Sequence, residues 1–285
     1  MSKKVTFRTE RKTIRNNRIL LIAVIVIALA GIAAFSAYSI FSEGGSDMQS
    51  SDAGDAQAVS SPGDGNAVTA RGERYYLFWC KDSGSGELKL IWVVGIRLPQ
   101  GKYTVYSPSI DDTVEYKGEY HSLGEIFSLY DVDGLREAVD SLCGVKTVSY
   151  IGSDSANFRQ MINHLGAVTV DIDEPINYNK DFNLILGKGE NDLKGDTLYK
   201  YLVYTNFMQG DTRKIRAEAM TEILRNTVTP KKADKIDTIF ARIANLLISD
   251  ITVVNYSADR EFINGMFSTG VKSVNIAEKP AQITK

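Results

Sequence analysis

The sequence predicts an α/β fold, a mixed central sheet covered by helices on both faces, with one transmembrane helix ahead of it. Three observations predict it. Residues 19–41 contain no charged side chain. Residues 42–72 are rich in Gly, Ser, Asp and Ala and contain no aromatic side chain. From 73 to 285, short strand-like runs alternate with segments of helical spacing.

Residues 1–18 hold seven Lys and Arg side chains against one acid, Glu10, and so carry +6. The uncharged run that follows is long enough to cross a bilayer, which takes roughly 20 apolar residues. A basic flank on its N-terminal side keeps that end in the cytoplasm. The alternative is a cleaved signal peptide, whose apolar core is normally about 7–15 residues long. The expectation is therefore a single-pass protein of the cytoplasmic membrane, N-terminus in, with its folded domain outside. The tail also suits contact with anionic lipid. Residues 42–72 cannot bury enough apolar surface to order themselves and read as a flexible tether.

The whole chain is −2, so everything after the tail carries −8. An acidic outer domain excludes non-specific nucleic-acid binding, which needs a basic face. Cys80 and Cys143 fall in that domain, where a disulfide can form. The reading leans instead to two buried thiols, because spacing alone does not supply the Cα separation a bridge requires.

Within 73–285, residues 74–81 and 87–96 read as two strands joined by the turn at 83–86, and 102–107 alternates as a third. Asp133 is placed to cap a helix that Gly144 ends. A strand at 147–151 follows. Ser153 is then placed to cap a helix whose Phe158, Met161, Ile162 and Leu165 share one face, with Gly166 as its stop. Residues 168–172 read as a strand, and 196–207, 211–227 and 234–247 as helices. The C-terminal part reads strand (251–256), helix (259–267), strand (271–276).

The usual catalytic signatures are missing. His121 and His164 are the only histidines, and no Cys/His cluster has metal spacing. No G-x-S-x-G elbow or P-loop occurs. Gly187 and Gly189 read as a turn. Asp171, Asp173 and Glu174 form an acidic run suited to a divalent cation through oxygen ligands, although a solvated strand end is its commoner meaning.

The stretch 157–176 (NFRQMINHLGAVTVDIDEPI) resembles the LytR-CpsA-Psr family of bacterial cell-envelope proteins. Ile162 to Val168 occupies that family's helix-to-strand turn. Leu186-Gly187, Leu193-Lys194-Gly195 and Gly210-Asp211 are similar to its later spacing, Ser107 to Asp111 is placed like its first acidic loop, and Leu142 to Val145 is similar to another of its turns. The resemblance implies an α/β/α fold with an apolar tunnel for a polyprenyl-pyrophosphate-linked glycopolymer. It also implies transfer of that polymer to peptidoglycan, arginines on the pyrophosphate and carboxylates on Mg²⁺. Arg offers a planar fork matched to phosphate oxygens, and Mg²⁺ neutralises leaving-group charge.

The arginine positions of the family fall here on Ile110, Val203, Thr205, Lys214 and Ala217, leaving one positive charge of five. Arg213 and Arg216 flank the last pair. One residue is a turn of about 100° on a helix, so they are expected to point elsewhere. Asp82, Glu87, Asp111 and Asp211 are the expected carboxylates for Mg²⁺, and Asp111, Arg213, Lys214 and Arg216 the expected ligand-binding side chains. The expected function is that of a degenerate, non-catalytic member, binding a polyprenyl-phosphate-linked envelope glycan or a partner. One alternative is an active phosphotransferase that uses Lys102, Arg213, Lys214 or Arg216. Another is an unrelated sensor or adhesion domain.

Overall fold

The computed structural model describes residues 71–251, 253–280 and 283. The expected tail, anchor and most of the tether lie outside the described residues. Among the described residues no helix is long and apolar enough to cross a membrane.

The expected hairpin is β1 (Gly72–Lys81) paired antiparallel with β2 (Leu88–Leu98). The β2 sequence, LKLIWVVGIRL, is an almost unbroken apolar run because both of its faces are covered. β3 (Lys102–Tyr106) adds antiparallel to β2. A small hairpin, β4 (Thr113–Tyr116) with β5 (Glu119–Ser122), leads into helix α1 (Leu123–Cys143).

Strand β6 (Thr147–Asp154) then returns parallel to β1, and helix α2 (Ser155–Leu165) follows it. β7 (Val168–Ile172) pairs with β10 (Gly189–Leu193), and β8 (Ile176–Tyr178) with β9 (Leu184–Leu186). Helices α3 (Gly195–Tyr204), α4 (Arg213–Thr227) and α5 (Ile236–Ile243) come next, then the short strand β11 (Ile248–Ser249), helix α6 (Val253–Thr269) and strand β12 (Ser273–Ile276). The six-stranded sheet has the order β11-β6-β1-β2-β3-β12, with β12 parallel to β3 and β11 antiparallel to β6. It is mixed, as expected.

The period of two sorts the side chains into two cores. Leu90, Trp92, Val94 and Ile96 face α2, α3, α4 and α6 and pack with Phe158, Leu202, Met220 and Phe262. Leu77, Trp79, Ile91 and Val93 face α1 and pack with Leu123, Ile126, Leu135 and Val139. Cys80 belongs to the first core and Cys143 to the second. Both are free thiols.

Three element boundaries differ from expectation. Asp133 does not start a helix. α1 begins at Leu123, where Ser122 and Glu125 form a capping box, and it is kinked at Asp131, whose φ is 54°. The Ser-x-x-Glu signal at 122–125 was present in the sequence and outranks the later aspartate. Ser153 ends β6, and the cap of α2 is Asp154, whose carboxylate accepts from the Asn157 amide at 2.8 Å. The strand expected at 251–256 is replaced by the start of α6 at Val253. There the β-branched run is overridden by the longer helix, propensity being a weak prior.

Candidate phosphate-binding site

Strands β1, β3, β6 and β12 run the same way, so their carboxyl ends lie at one edge of the sheet. Open α/β sheets place ligands at that edge. Four segments meet there: the end of β3 with the loop 107–112, the β1–β2 turn, the residues after α3, and the first turn of α4.

Arg216 is at the centre and is 3 % exposed. Its Nε donates to Ser107 Oγ at 3.1 Å. Its Nη1 donates to Thr205 Oγ1 at 3.2 Å, Asn206 Oδ1 at 3.1 Å and Thr212 Oγ1 at 2.9 Å. Each hydroxyl is forced to accept, because its own proton is already committed. Ser107 donates to the Ile91 carbonyl, Thr205 to that of Leu202 and Thr212 to that of Thr205. Asn206 is oriented by its amide, which donates to the Lys89 carbonyl at 3.0 Å. Nη2 makes no hydrogen bond among the described residues. Burial holds the Arg216 guanidinium below its usual pKa, and the charge of Arg213 adds to this. The result is a buried cation whose direct partners are all neutral oxygens, one that gains from a nearby anion.

Arg213, one turn earlier, donates to Asp112 Oδ1 at 2.6 Å and lies 3.3 Å from Asp211 Oδ1. The Asp112 hydrogen bond raises its pKa further. Asp112 Oδ2 also accepts the Ser109 amide at 2.9 Å. Arg213 Nε is buried without a partner among the described residues.

The expectation that Arg213 and Arg216 point elsewhere is therefore corrected. Both face the loop 107–112, while the positions aligned to the family's last arginine pair do not reach it. Lys214 is exposed, 3.9 Å from Glu218, and Ala217 is fully buried in the first core. Val203 is likewise a core residue, and Ile110 packs toward α1. Only Thr205 of the five joins the site. Asp111 is exposed, and it is Asp112 that makes the contact with Arg213. Ser107, Asp112, Asn206 and Thr212 were missed as site residues. One signal was available for the helix: Arg216 shares the spacing of Met220, Ile223 and Leu224, which marks the inward face.

The expected metal carboxylates are held apart by other partners. Asp82 is turned inward on its own loop, accepting from the amides of Gly84 and Ser85. Glu87 pairs with Lys89 at 2.7 Å. Among the described residues no three acidic, His or Cys side chains are grouped to hold a metal ion, so Asp82, Glu87, Asp111 and Asp211 are not assembled as one. Where the resemblance implies Mg²⁺, the guanidinium of Arg213 sits against the carboxylates of Asp112 and Asp211. These residues do not fit the cation.

Behind this cluster lies an apolar cavity of about 380 Å³, between the first face of the sheet and helices α2, α4, α5 and α6. Trp92, Ile96, Phe158, Met220, Ile239 and Ile263 are among its walls. Trp92 belongs to both regions. Its ring lines the cavity, and its Nε1 donates to the Arg216 carbonyl at 2.9 Å.

The LytR_cpsA_psr family model matches residues 90–284. This chain belongs to that family. No curated protein matches it. Among solved structures it is similar to Bacillus subtilis TagV, at 19 % identity and a TM-score of 0.58, over 73 % of this chain and 85 % of that one. It is also similar to a putative transcription regulator from Eubacterium siraeum, at 14 % identity and a TM-score of 0.62, over 80 % and 90 %. A third likeness is to TagT bound to LI-WTA, at 17 % identity and a TM-score of 0.52, over 72 % and 78 %. At these identities the likeness is one of fold. The chain is thus a LytR-CpsA-Psr protein of the cell envelope, with the mixed α/β architecture of its relatives.

Proposed function

We propose that this LytR-CpsA-Psr protein holds a lipid-linked envelope glycan without transferring it. Its polyprenyl chain lies in the apolar cavity and its phosphate or pyrophosphate lies against Arg216 and Arg213. The carrying observation is the Trp92–Arg216 junction, which sets an apolar cavity beside the helix that carries a buried guanidinium hydrogen-bonded only to neutral oxygens. A guanidinium that is already desolvated and oriented gives up little on meeting a phosphate. TagT, a protein of the same fold, has been seen with LI-WTA bound.

The same geometry supports the proposed loss of transfer. Charge on a departing pyrophosphate is stabilised by preorganised cations and metal. Here Ile110, Val203 and Ala217 supply none, and Asp112 and Asp211 are engaged by Arg213. The protein is proposed to sit in the cytoplasmic membrane through residues 19–41, N-terminus in.

The test is native mass spectrometry of the full-length protein with a polyprenyl pyrophosphate. Retention should fall at least tenfold in Arg216→Ala and Arg213→Gln, consistent with the loss of charge-assisted hydrogen bonds worth about 1.5–3 kcal/mol. Lys214→Ala should retain lipid like the parent. Equal retention by the parent and both arginine variants overturns the reading.

The second reading, an active phosphotransferase, is favoured by the convergence of Arg213 and Arg216. Lys102 does not contribute, since it begins β3 at the strand end away from Ser107. Transfer of glycan from a lipid pyrophosphate donor, abolished by Arg216→Ala, would establish it.

A further inference from the structure

A second cavity, of about 980 Å³, is walled by β7, the segment 173–176, Glu190 of β10, and helices α3 and α4. It shares α4 with the phosphate site but no side chain. Six carboxylates line it: Asp171, Asp173, Glu174, Glu190, Glu218 and Glu222. Among the described residues the single cation in its walls, Arg225, is bound to Glu222 at 2.6 Å. Lys214 lies 3.9 Å from Glu218 Oε1.

Two features go beyond a solvated acidic face. Asp171 and Glu190 are direct register partners on β7 and β10. Like charges opposite one another destabilise a strand pair, so the fold carries a repulsion that a bound cation relieves. The other is Tyr201 of α3. It is 5 % exposed, lines the cavity, and its hydroxyl makes no hydrogen bond among the described residues. Burial, with Glu218 and Asp173 nearby, pushes the phenol up to about 12, so it stays neutral and able to accept a hydrogen bond from an ammonium. Tyr204 adds a second ring to the wall.

We propose that this cavity binds a small linear polyamine, with its ammonium groups spread along the carboxylates and its methylenes against Tyr201 and Tyr204. A metal ion is the poorer occupant, because among the described residues no three carboxylates are grouped to hold one. Charges spaced along a flexible chain match carboxylates spaced along a wall. The volume lies within the usual small-molecule range of about 300–1,000 Å³, and tyrosine faces attract ammonium groups.

The experiment is calorimetric titration of the full-length protein with spermidine, at low and at high salt, against putrescine and a monoamine. Saturable one-to-one binding is expected, weaker for putrescine, lost for the monoamine and strongly reduced by salt. The pair Asp173→Asn with Glu218→Gln should weaken spermidine about tenfold or more, by analogy with the loss of two exposed charge contacts. Tyr201→Phe should weaken it severalfold, and neither variant should lower the thermal midpoint. Asp171→Asn should raise the midpoint of the free protein by removing the cross-strand repulsion. Equal spermidine binding by the parent and by both binding variants, or full displacement by an equimolar amount of magnesium, overturns the proposal.

Discussion

The indole N–H of Trp92 donates to the main-chain carbonyl of Arg216 at 2.9 Å, so one side chain of the sheet holds the helix that carries the central arginine. The carbonyl also lies within the hydrogen-bond ladder of α4, so the indole is its second donor. Trp92→Phe keeps a ring in the cavity but removes the tie between sheet and helix. We expect it to destabilise the protein by about 1–3 kcal/mol, measured by urea denaturation, and to weaken lipid phosphate binding. Parent-like stability would show that the tie contributes nothing to holding α4 on the sheet.

Asp112 gives a test of opposite signs. In a protein that only binds, Asp112 competes with the ligand phosphate for Arg213. Asp112→Asn should then bind a polyprenyl pyrophosphate severalfold more tightly. If Asp112 instead serves a transfer reaction, the same change abolishes turnover and leaves affinity no better. Affinity and phosphate release, measured on one preparation, separate the two.

Two glycines should resist substitution for different reasons. Gly166 ends α2 with φ 119° and has open space where a Cβ would stand, so only the backbone objects. Gly166→Val should cost at least about 1 kcal/mol through that conformation. Gly152 on β6 lies beside Trp79, whose ring atoms would be 2.0 Å from a Cβ. Gly152→Ala should cost about 1–3 kcal/mol by overpacking. An unchanged melting temperature in either variant contradicts its argument.

The thiols should be silent. Burial pushes both Cys80 and Cys143 up to about 12. They lie in cores on opposite faces of the sheet. Neither should react with a thiol reagent at neutral pH in the native state, and oxidant should form no intramolecular disulfide. A thiol kept protonated by the fold contributes its full stability below the unfolded value, roughly 8.5. That contribution is lost as pH climbs toward the folded value, so stability should decline through this alkaline window. Denaturation across it checks the sign, and a flat profile in the double serine variant assigns the effect to the thiols.

The charge pattern of residues 1–41 predicts that protease added outside protoplasts digests the region after residue 41 and spares the tail. Protection of the folded domain would place the domain inside.

Much of the fold was legible because it is written in local periods. Residues 87–96 read as a strand from their apolar run and 74–81 as its partner from the intervening turn, and the register between them bears this out. The helix ending at Gly166 was legible from one apolar face and one glycine. The start of α1 was also present, as the Ser122–Glu125 capping box, but Asp133 offered a second cap that became interior to a kinked helix.

The residue pattern of 87–96 and 157–176 sufficed for a covered mixed sheet and for kinship with an envelope family. The site did not follow from that pattern. Its members come from 107–112, 205–206 and 211–216, segments joined only by packing, and their phase depends on where α4 begins. A shift of one residue there rotates a side chain by about 100°. It decides whether Lys214 or Arg213 meets the loop, and whether Ala217 or Arg216 does. Asp112 replaces Asp111 for a like reason: in an irregular loop only the neighbouring chain determines which carboxylate turns inward. The tertiary structure settled both, because inward orientation at a strand end is set by long-range hydrogen bonds, Ser107 to Ile91, Asn206 to Lys89 and Trp92 to Arg216, that no local period encodes.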